Sequence, residues 1–168
     1  MARARRQIQR KETGVKGARI LVVEARYYED IADMLLRGAK RVLKDAGAAF
    51  DVVTVPGALE IPAAIMISLH AATARGEPYD GVVALGCVIR GETSHYDIVA
   101  GESARAIMDI SIALDMPVGN GILTVDTDAQ ARARARPAGD DKGGGAARAA
   151  LTLVRLKRRL TRTARGGR

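Results

Sequence analysis

Val82-Val83-Ala84-Leu85-Gly86-Cys87-Val88-Ile89-Arg90-Gly91-Glu92-Thr93-Ser94-His95-Tyr96-Asp97 is the stretch whose reading decides the fold. Its first half, Val82 to Ile89, is an unbroken run of small and branched apolar residues, the pattern of a strand buried on both faces of a sheet. Arg90-Gly91 ends the run, and Thr93 and Ser94 stand where a following helix would take its cap. A strand that feeds a helix start in this way also makes an anion site. The first amides of a helix point outward unpaired, at the positive end of the helix dipole. Gly91, Glu92, Thr93 and Ser94 are therefore a candidate phosphate loop, with His95 beside it as a proton carrier, since histidine titrates nearest neutrality. The same residues also suit an ordinary strand-to-helix corner, capped by Thr93 or Ser94 with His95 on the surface.

The pattern repeats on both sides of this stretch. Ala18 to Ala25 is a short apolar strand, and Asp30 to Ala46 carries Ile31, Met34, Leu35, Ala39, Val42 and Leu43 at helical spacing up to Gly47. Asp51 to Val55 reads as a strand ending in Pro56-Gly57, and Ala58 to Ala74 as a helix with Pro62 in its first turn. Downstream, Asp80 to Ile89 completes the central strand, and Tyr96 to Leu114 is a helix. Val118 to Val125 is a fourth strand interrupted by Gly119 and Gly121, and helices follow at about 127–136 and 145–162. Strands alternating with helices imply parallel pairing through right-handed crossovers. The predicted fold is α/β, a three-layer α/β/α sandwich on a four-stranded parallel sheet, flavodoxin-like. Ligands of such sheets bind beyond the carboxyl ends of the strands. Arg26-Tyr27-Tyr28, Pro56 to Glu60, Gly86 to His95 and the chain from Asp126 onward all fall at such ends.

A chain of 168 residues is the size of one domain. The net charge of +8 is unevenly spread: residues 1–16 carry +5, residues 151–168 carry +7, and the body between them −4. The reading divides the chain into a basic tail at 1–16, a single domain at 17–160 and a basic tail at 161–168, with the tails as solvated appendages first and docking arms second. With one Phe and no Trp there is no stacking platform for nucleic acid, so no nucleic-acid partner is expected. Cys87 is the sole cysteine and His70 and His95 the only histidines, which gives neither a disulfide framework nor a metal-ligand cluster. No apolar stretch resembles a secretory signal or a membrane span, so a cytoplasmic protein without membrane association is expected.

Four ordered motifs now give a specific resemblance: Val55-Pro56-Gly57-Ala58-Leu59-Glu60-Ile61-Pro62, Gly86 to Asp97, Asn120-Gly121-Ile122-Leu123-Thr124-Val125, and Asp141-Lys142-Gly143-Gly144. From about Arg19 to about Leu156 the chain resembles the 6,7-dimethyl-8-ribityllumazine synthases of riboflavin biosynthesis. That resemblance implies two small-molecule substrates, a ribitylaminouracil and a dihydroxybutanone phosphate. They condense as an imine, lose phosphate and close a ring with loss of water, with no cofactor. It also implies a homo-oligomer, a pentamer in the family and in some members a sixty-subunit shell, and it leaves open an association with riboflavin synthase.

Residue by residue, the resemblance makes His95 the proton relay and Gly91, Glu92, Thr93 and Ser94 the phosphate loop, joined by Arg134 and by Lys142 eight residues later. Guanidinium suits phosphate because its planar fork grips two oxygens. Tyr27 matches the aromatic that stacks on the uracil ring, and Glu60 the acid that takes the ribityl hydroxyls. The backbone of Cys87, Val88 and Ile89 would read the uracil edge, with Ala58, Leu59 and Asn120 also at the substrate. Each side chain has a plainer explanation on its own: Tyr27 a rim aromatic, Glu60 a helix-start acid, and Arg134 one of a solvated run with Arg132 and Arg136. Tyr27 and Tyr28 stand where other aromatic or polar residues are familiar, and Leu59 and Asn120 where some branches carry aromatics. Asp140-Asp141 precedes Lys142 where Asn is common, which would set a carboxylate beside an anion site unless it points away. A shell-forming relative without catalysis, an archaeal-type riboflavin synthase and a generic mononucleotide domain are the competing readings. The first lacks support because His95 and Arg134 are both present. The second fits a phosphate loop less well, and the third lacks any glycine fingerprint.

Overall fold

The computed structural model describes residues 14–165. Residues 1–13 and 166–168, which make up most of the expected N-terminal tail and the end of the C-terminal one, lie outside the described residues. The elements run β1 (Arg19–Ala25), α1 (Glu29–Asp45), β2 (Ala49–Val55), a 3-10 turn (Ala58–Glu60), α2 (Ile61–Ala74), β3 (Gly81–Ile89), α3 (His95–Ala113), β4 (Val118–Val125), α4 (Asp128–Ala135) and α5 (Lys142–Arg165). The four strands form one sheet in the order β2-β1-β3-β4, every pair parallel.

Alternation along each strand sends side chains to two separate cores. Ile20, Val22, Val83, Leu85, Leu123 and Val125 pack beneath Leu35 and Leu43 of α1, Ala131 of α4 and Leu151 of α5. Leu21, Val23, Ala25, Val82, Ala84 and Val88 face Ile61, Ile65 and Leu69 of α2 and Val99 and Ile107 of α3. Helices on both faces of a parallel sheet complete the three-layer α/β/α sandwich, and β3, central and buried, is its spine.

Two boundaries differ from the sequence reading for physical reasons. β2 begins at Ala49 because that residue pairs in register with Arg19. As an edge strand β2 is half exposed, and Asp51 separates the apolar pair Ala49-Phe50 from the β-branched run that the sequence reading took as the strand. α5 begins at Lys142 rather than about 145, because Gly143 and Gly144 pack against a neighbouring helix and do not end their own. A Cβ on Gly143 would overlap the carbonyl oxygen of Leu35 in α1. Gly119 does the same service in β4, where a Cβ would overlap the Ala146 carbonyl of α5. α5 then passes without a break through the boundary expected at residue 160.

Asp141 is buried and turned inward. Its Oδ2 receives Arg41 at 2.7 Å and Arg148 at 3.4 Å, and its Oδ1 accepts the Gly144 N–H at 3.2 Å. One carboxylate thus caps α5 and pins it to α1, with its charge spent on two arginines.

Candidate functional site

The carboxyl ends of β1, β2 and β3 open into a cleft of about 550 Å³. From the β1–α1 turn come Tyr27 and Tyr28, and from the β2–α2 turn Pro56, Gly57, Ala58, Leu59 and Glu60. Cys87, Val88 and Ile89 form its floor at the end of β3, and Gly91, Thr93, His95, Tyr96 and Val99 its third wall. Ten sequence-predicted residues therefore converge: Tyr27, Ala58, Leu59, Glu60, Cys87, Val88, Ile89, Gly91, Thr93 and His95.

The turn bearing the tyrosines is held from below. Glu24 at the end of β1 is 3% exposed, and its carboxylate takes the Arg26 guanidinium at 3.2 Å and the Thr54 hydroxyl at 3.0 Å. Arg26 also donates to Asp33 of α1 at 2.6 Å, and this hydrogen bond holds the Asp33 carboxyl below the usual carboxylate range. So anchored, the turn presents Tyr27 at 74% exposure, edge-on to Tyr28 with ring centroids 4.9 Å apart. Tyr28 packs against the core, and burial raises its phenol pKa. Of the two rings, Tyr27 is the one with a free face.

At the third wall α3 starts with its hydroxyls largely unspent. Ser94 occupies the N-cap position without a side-chain hydrogen bond. Thr93 Oγ1 accepts the His95 N–H at a long 3.4 Å. The capping expected of Thr93 or Ser94 is thus reduced to one weak bond, which leaves exposed donors around Gly91, Thr93 and Ser94, with the exposed His95 next to them.

Cys87 lies in the floor, and its thiol is pushed up to about 12 by burial and then by the nearby Asp128 carboxylate. The thiolate is the reactive form, so alkylation of the native protein by iodoacetamide at pH 8 is expected to be at least a hundredfold slower than that of the denatured chain, on the order of what the thiolate fraction dictates. Native labelling as fast as denatured labelling, followed by mass spectrometry, would show the thiol to be open and ionised.

Other expected residues stand apart from this cleft. Glu92 and Ser94 belong to the loop but do not line the cavity. Asn120 is exposed on β4, where its Oδ1 accepts the Ile122 N–H at 3.0 Å. Arg134 lies on α4, donating to the Gln130 carbonyl at 3.3 Å, and the exposed Lys142 begins α5. Within one chain neither cation reaches the cleft lining, which among the described residues contains no Lys or Arg. Arg132 is held by Asp30 and Asp128, so the solvated-run explanation suits that arginine. His70 is exposed on α2. Tyr96 and Val99 were not foreseen, although Val99 sits one helical turn after His95 and the period of 3.6 would have found it.

Comparison with known proteins identifies the family. The family model for 6,7-dimethyl-8-ribityllumazine synthase matches residues 17–158. Among curated relatives, 6,7-dimethyl-8-ribityllumazine synthase 1 of Rhodopseudomonas palustris is 60% identical over 162 residues, 96% of this chain and 99% of that protein. The synthase of Nitrobacter winogradskyi is 62% identical over the same shares. That of Methylorubrum extorquens is 66% identical over 142 residues, 84% of this chain and 82% of its own. With residues 17–158 matched by the family model and relatives about 60% identical over nearly the full length, this chain belongs to the 6,7-dimethyl-8-ribityllumazine synthase family.

Proposed function

We propose that this chain is a transferase of riboflavin biosynthesis. It condenses 5-amino-6-(D-ribitylamino)uracil with 3,4-dihydroxy-2-butanone 4-phosphate to give 6,7-dimethyl-8-ribityllumazine, phosphate and water. The observation that carries this reading is the single cleft lined by Tyr27, Glu60, the end of β3 and His95 in a chain of this family. Tyr27 stacks on the uracil ring and the backbone of Cys87 to Ile89 reads its edge. Glu60, with Ala58 and Leu59 beside it, takes the ribityl hydroxyls. The Gly91–Ser94 loop holds the phosphate through amides and hydroxyls. The amine attacks the ketone to form the imine with loss of one water, phosphate departs, and the second nitrogen closes the ring with loss of a second water. His95, at the loop, moves protons at these steps. Each reactant is already competent, so the protein mostly orients them. No electron leaves the pair of substrates, and the reaction therefore requires no redox carrier.

The active unit in this reading is a homopentamer. A phosphate dianion needs cations, and among the described residues the cleft lining has none, so Arg134 and Lys142 serve the cleft of a neighbouring copy, with Asn120 as a polar contact there. Exposed Ile67 on α2 and Ile98, Met108 and Ile112 on α3 supply apolar surface for that contact. None of the described helices is long and apolar enough to cross a membrane, which fits a cytoplasmic site for chemistry on polar metabolites.

The test is direct. The purified protein given the two substrates alone should form the fluorescent lumazine and release one phosphate per turnover. His95→Ala should lower kcat by about 10- to 100-fold with little change in either KM, a residual rate remaining because the reactants are intrinsically reactive. Absence of lumazine from the wild-type protein would overturn the proposal. A His95→Ala variant that changes only the KM values would remove the proton-relay role.

A further inference from the structure

Arg90 stands between the end of β3 and the phosphate loop, and its side chain does not line the cleft. The guanidinium lies over the Tyr96 ring, 4.0 Å from its centroid. Nη2 donates to Asp97 Oδ1 at 3.2 Å, and Nε pairs with Asp126 Oδ1 at 3.4 Å. Its main-chain N–H continues the strand ladder, donating to the Val125 carbonyl at 2.9 Å. One residue therefore ties three elements together at the mouth of the cleft: the end of β3, the first turn of α3 and the chain leaving β4. The Gly91–Ser94 loop is fixed at its entry by the sheet and at its exit by Tyr96 and Asp97.

The side chain of Arg90 is 45% exposed, so these pairs are screened and add little to stability. Their effect is local. Asp97 lies in the first turn of α3, three residues after Ser94, and Asp126 directly follows β4; both are held by Arg90, the residue that immediately precedes the loop. Left uncompensated, the two carboxylates would repel a dianion. Tyr96, by contrast, is a wall of the cleft, and its ring is oriented by the cation stacked on it.

We infer that Arg90 is a positioning residue for the phosphate-bearing substrate. Acting through Tyr96, Asp97 and Asp126, it keeps the Gly91–Ser94 loop in its anion-binding shape and cancels the carboxylates beside it. The inference rests on the reading of that loop as the phosphate site.

Three variants test it: Arg90→Gln, the triple variant Arg90→Gln/Asp97→Asn/Asp126→Asn, and Arg105→Gln. Arg105, also on α3, pairs with Glu102 and Asp109 of the same helix and serves as the control. Two readouts are taken, steady-state kinetics with each substrate varied, and binding of inorganic phosphate followed by the ring resonances of His95. Arg90→Gln should weaken phosphate binding and raise the KM for the butanone phosphate by about tenfold each, while the uracil KM stays within about twofold. The triple variant should recover part of the lost phosphate affinity, because it removes the repulsion without restoring the tie, and Arg105→Gln should match wild type. Wild-type phosphate binding in Arg90→Gln overturns the inference, as does an equal loss for both substrates accompanied only by a lower Tm. Because phosphate binding is read without turnover, a wild-type protein that binds phosphate in an Arg90-dependent way yet makes no lumazine would refute the reaction and leave the positioning role standing.

Discussion

Arg134→Ala should raise the KM for the butanone phosphate by about 10- to 150-fold, corresponding to roughly 1.5–3 kcal/mol for one lost charge-assisted contact, and leave binding of the uracil nearly unchanged. The site geometry explains why the effect should be large and one-sided. Among the described residues the cleft lining carries no cation, so removing Arg134 leaves the dianion with amides, hydroxyls and Lys142. Glu60 lines the cleft of its own chain, whereas Arg134 lies away from it on α4. In a head-to-tail ring the two groups meet across each interface. Glu60→Ala and Arg134→Ala homomers should each be impaired. Unfolded and refolded together in equal amounts, they should regain activity at about a quarter of the interfaces by random mixing. No recovery in mixed rings verified by native mass spectrometry would mean that both residues serve one chain's own pocket. Equal loss for both substrates in Arg134→Ala would make the arginine structural.

Together with one on Gly143, Gly119→Ala should be among the most damaging single methyl groups that could be added to the described residues. Its Cβ would overlap the Ala146 carbonyl, a backbone atom in the first half of α5 that no rotamer change can move aside. Overpacking against side chains costs about 1–3 kcal/mol, and against fixed backbone the cost should reach or exceed the top of that range. Gly145→Ala, on the same helix, provides the contrast. Nothing lies within 4 Å of its Cβ position, so the substitution should be neutral or stabilise by up to about 1 kcal/mol through helix propensity. Thermal unfolding of the two variants side by side decides the matter. Similar midpoints would mean that β4 and α5 are not packed as closely as described.

What could be read from the sequence was whatever has a period or a fixed local chemistry. The run Val82 to Ile89 announced a strand buried on both faces because a central parallel strand has no polar side to show. The i, i+3, i+4 spacing of Ile31, Met34 and Leu35 announced α1 in the same way. Motifs at strand ends were legible because the fold itself directs ligands there, and ten residues named on that basis line the cleft. Contacts between distant segments were not legible. Gly119 and Gly121 looked like flaws in a strand and are instead clearance for α5. Asp141 looked like a charge facing an anion and is bound by Arg41, a hundred residues away in sequence, and by Arg148. Nor does a single chain reveal which cation reaches which cleft, since neither Arg134 nor Lys142 lines the one it folds with.

The state of Cys87 has a practical consequence for chemistry done on the protein. It is the one sulfhydryl in the sequence, and with its pKa near 12 only about one molecule in ten thousand would carry a thiolate at pH 8. Maleimides and disulfide reagents should therefore react only slowly with the native protein. A cysteine introduced at an exposed position, such as Lys44 at the end of α1, would be the reactive handle, so dyes, spin labels or cargo could be attached at one address per chain without first removing the natural residue.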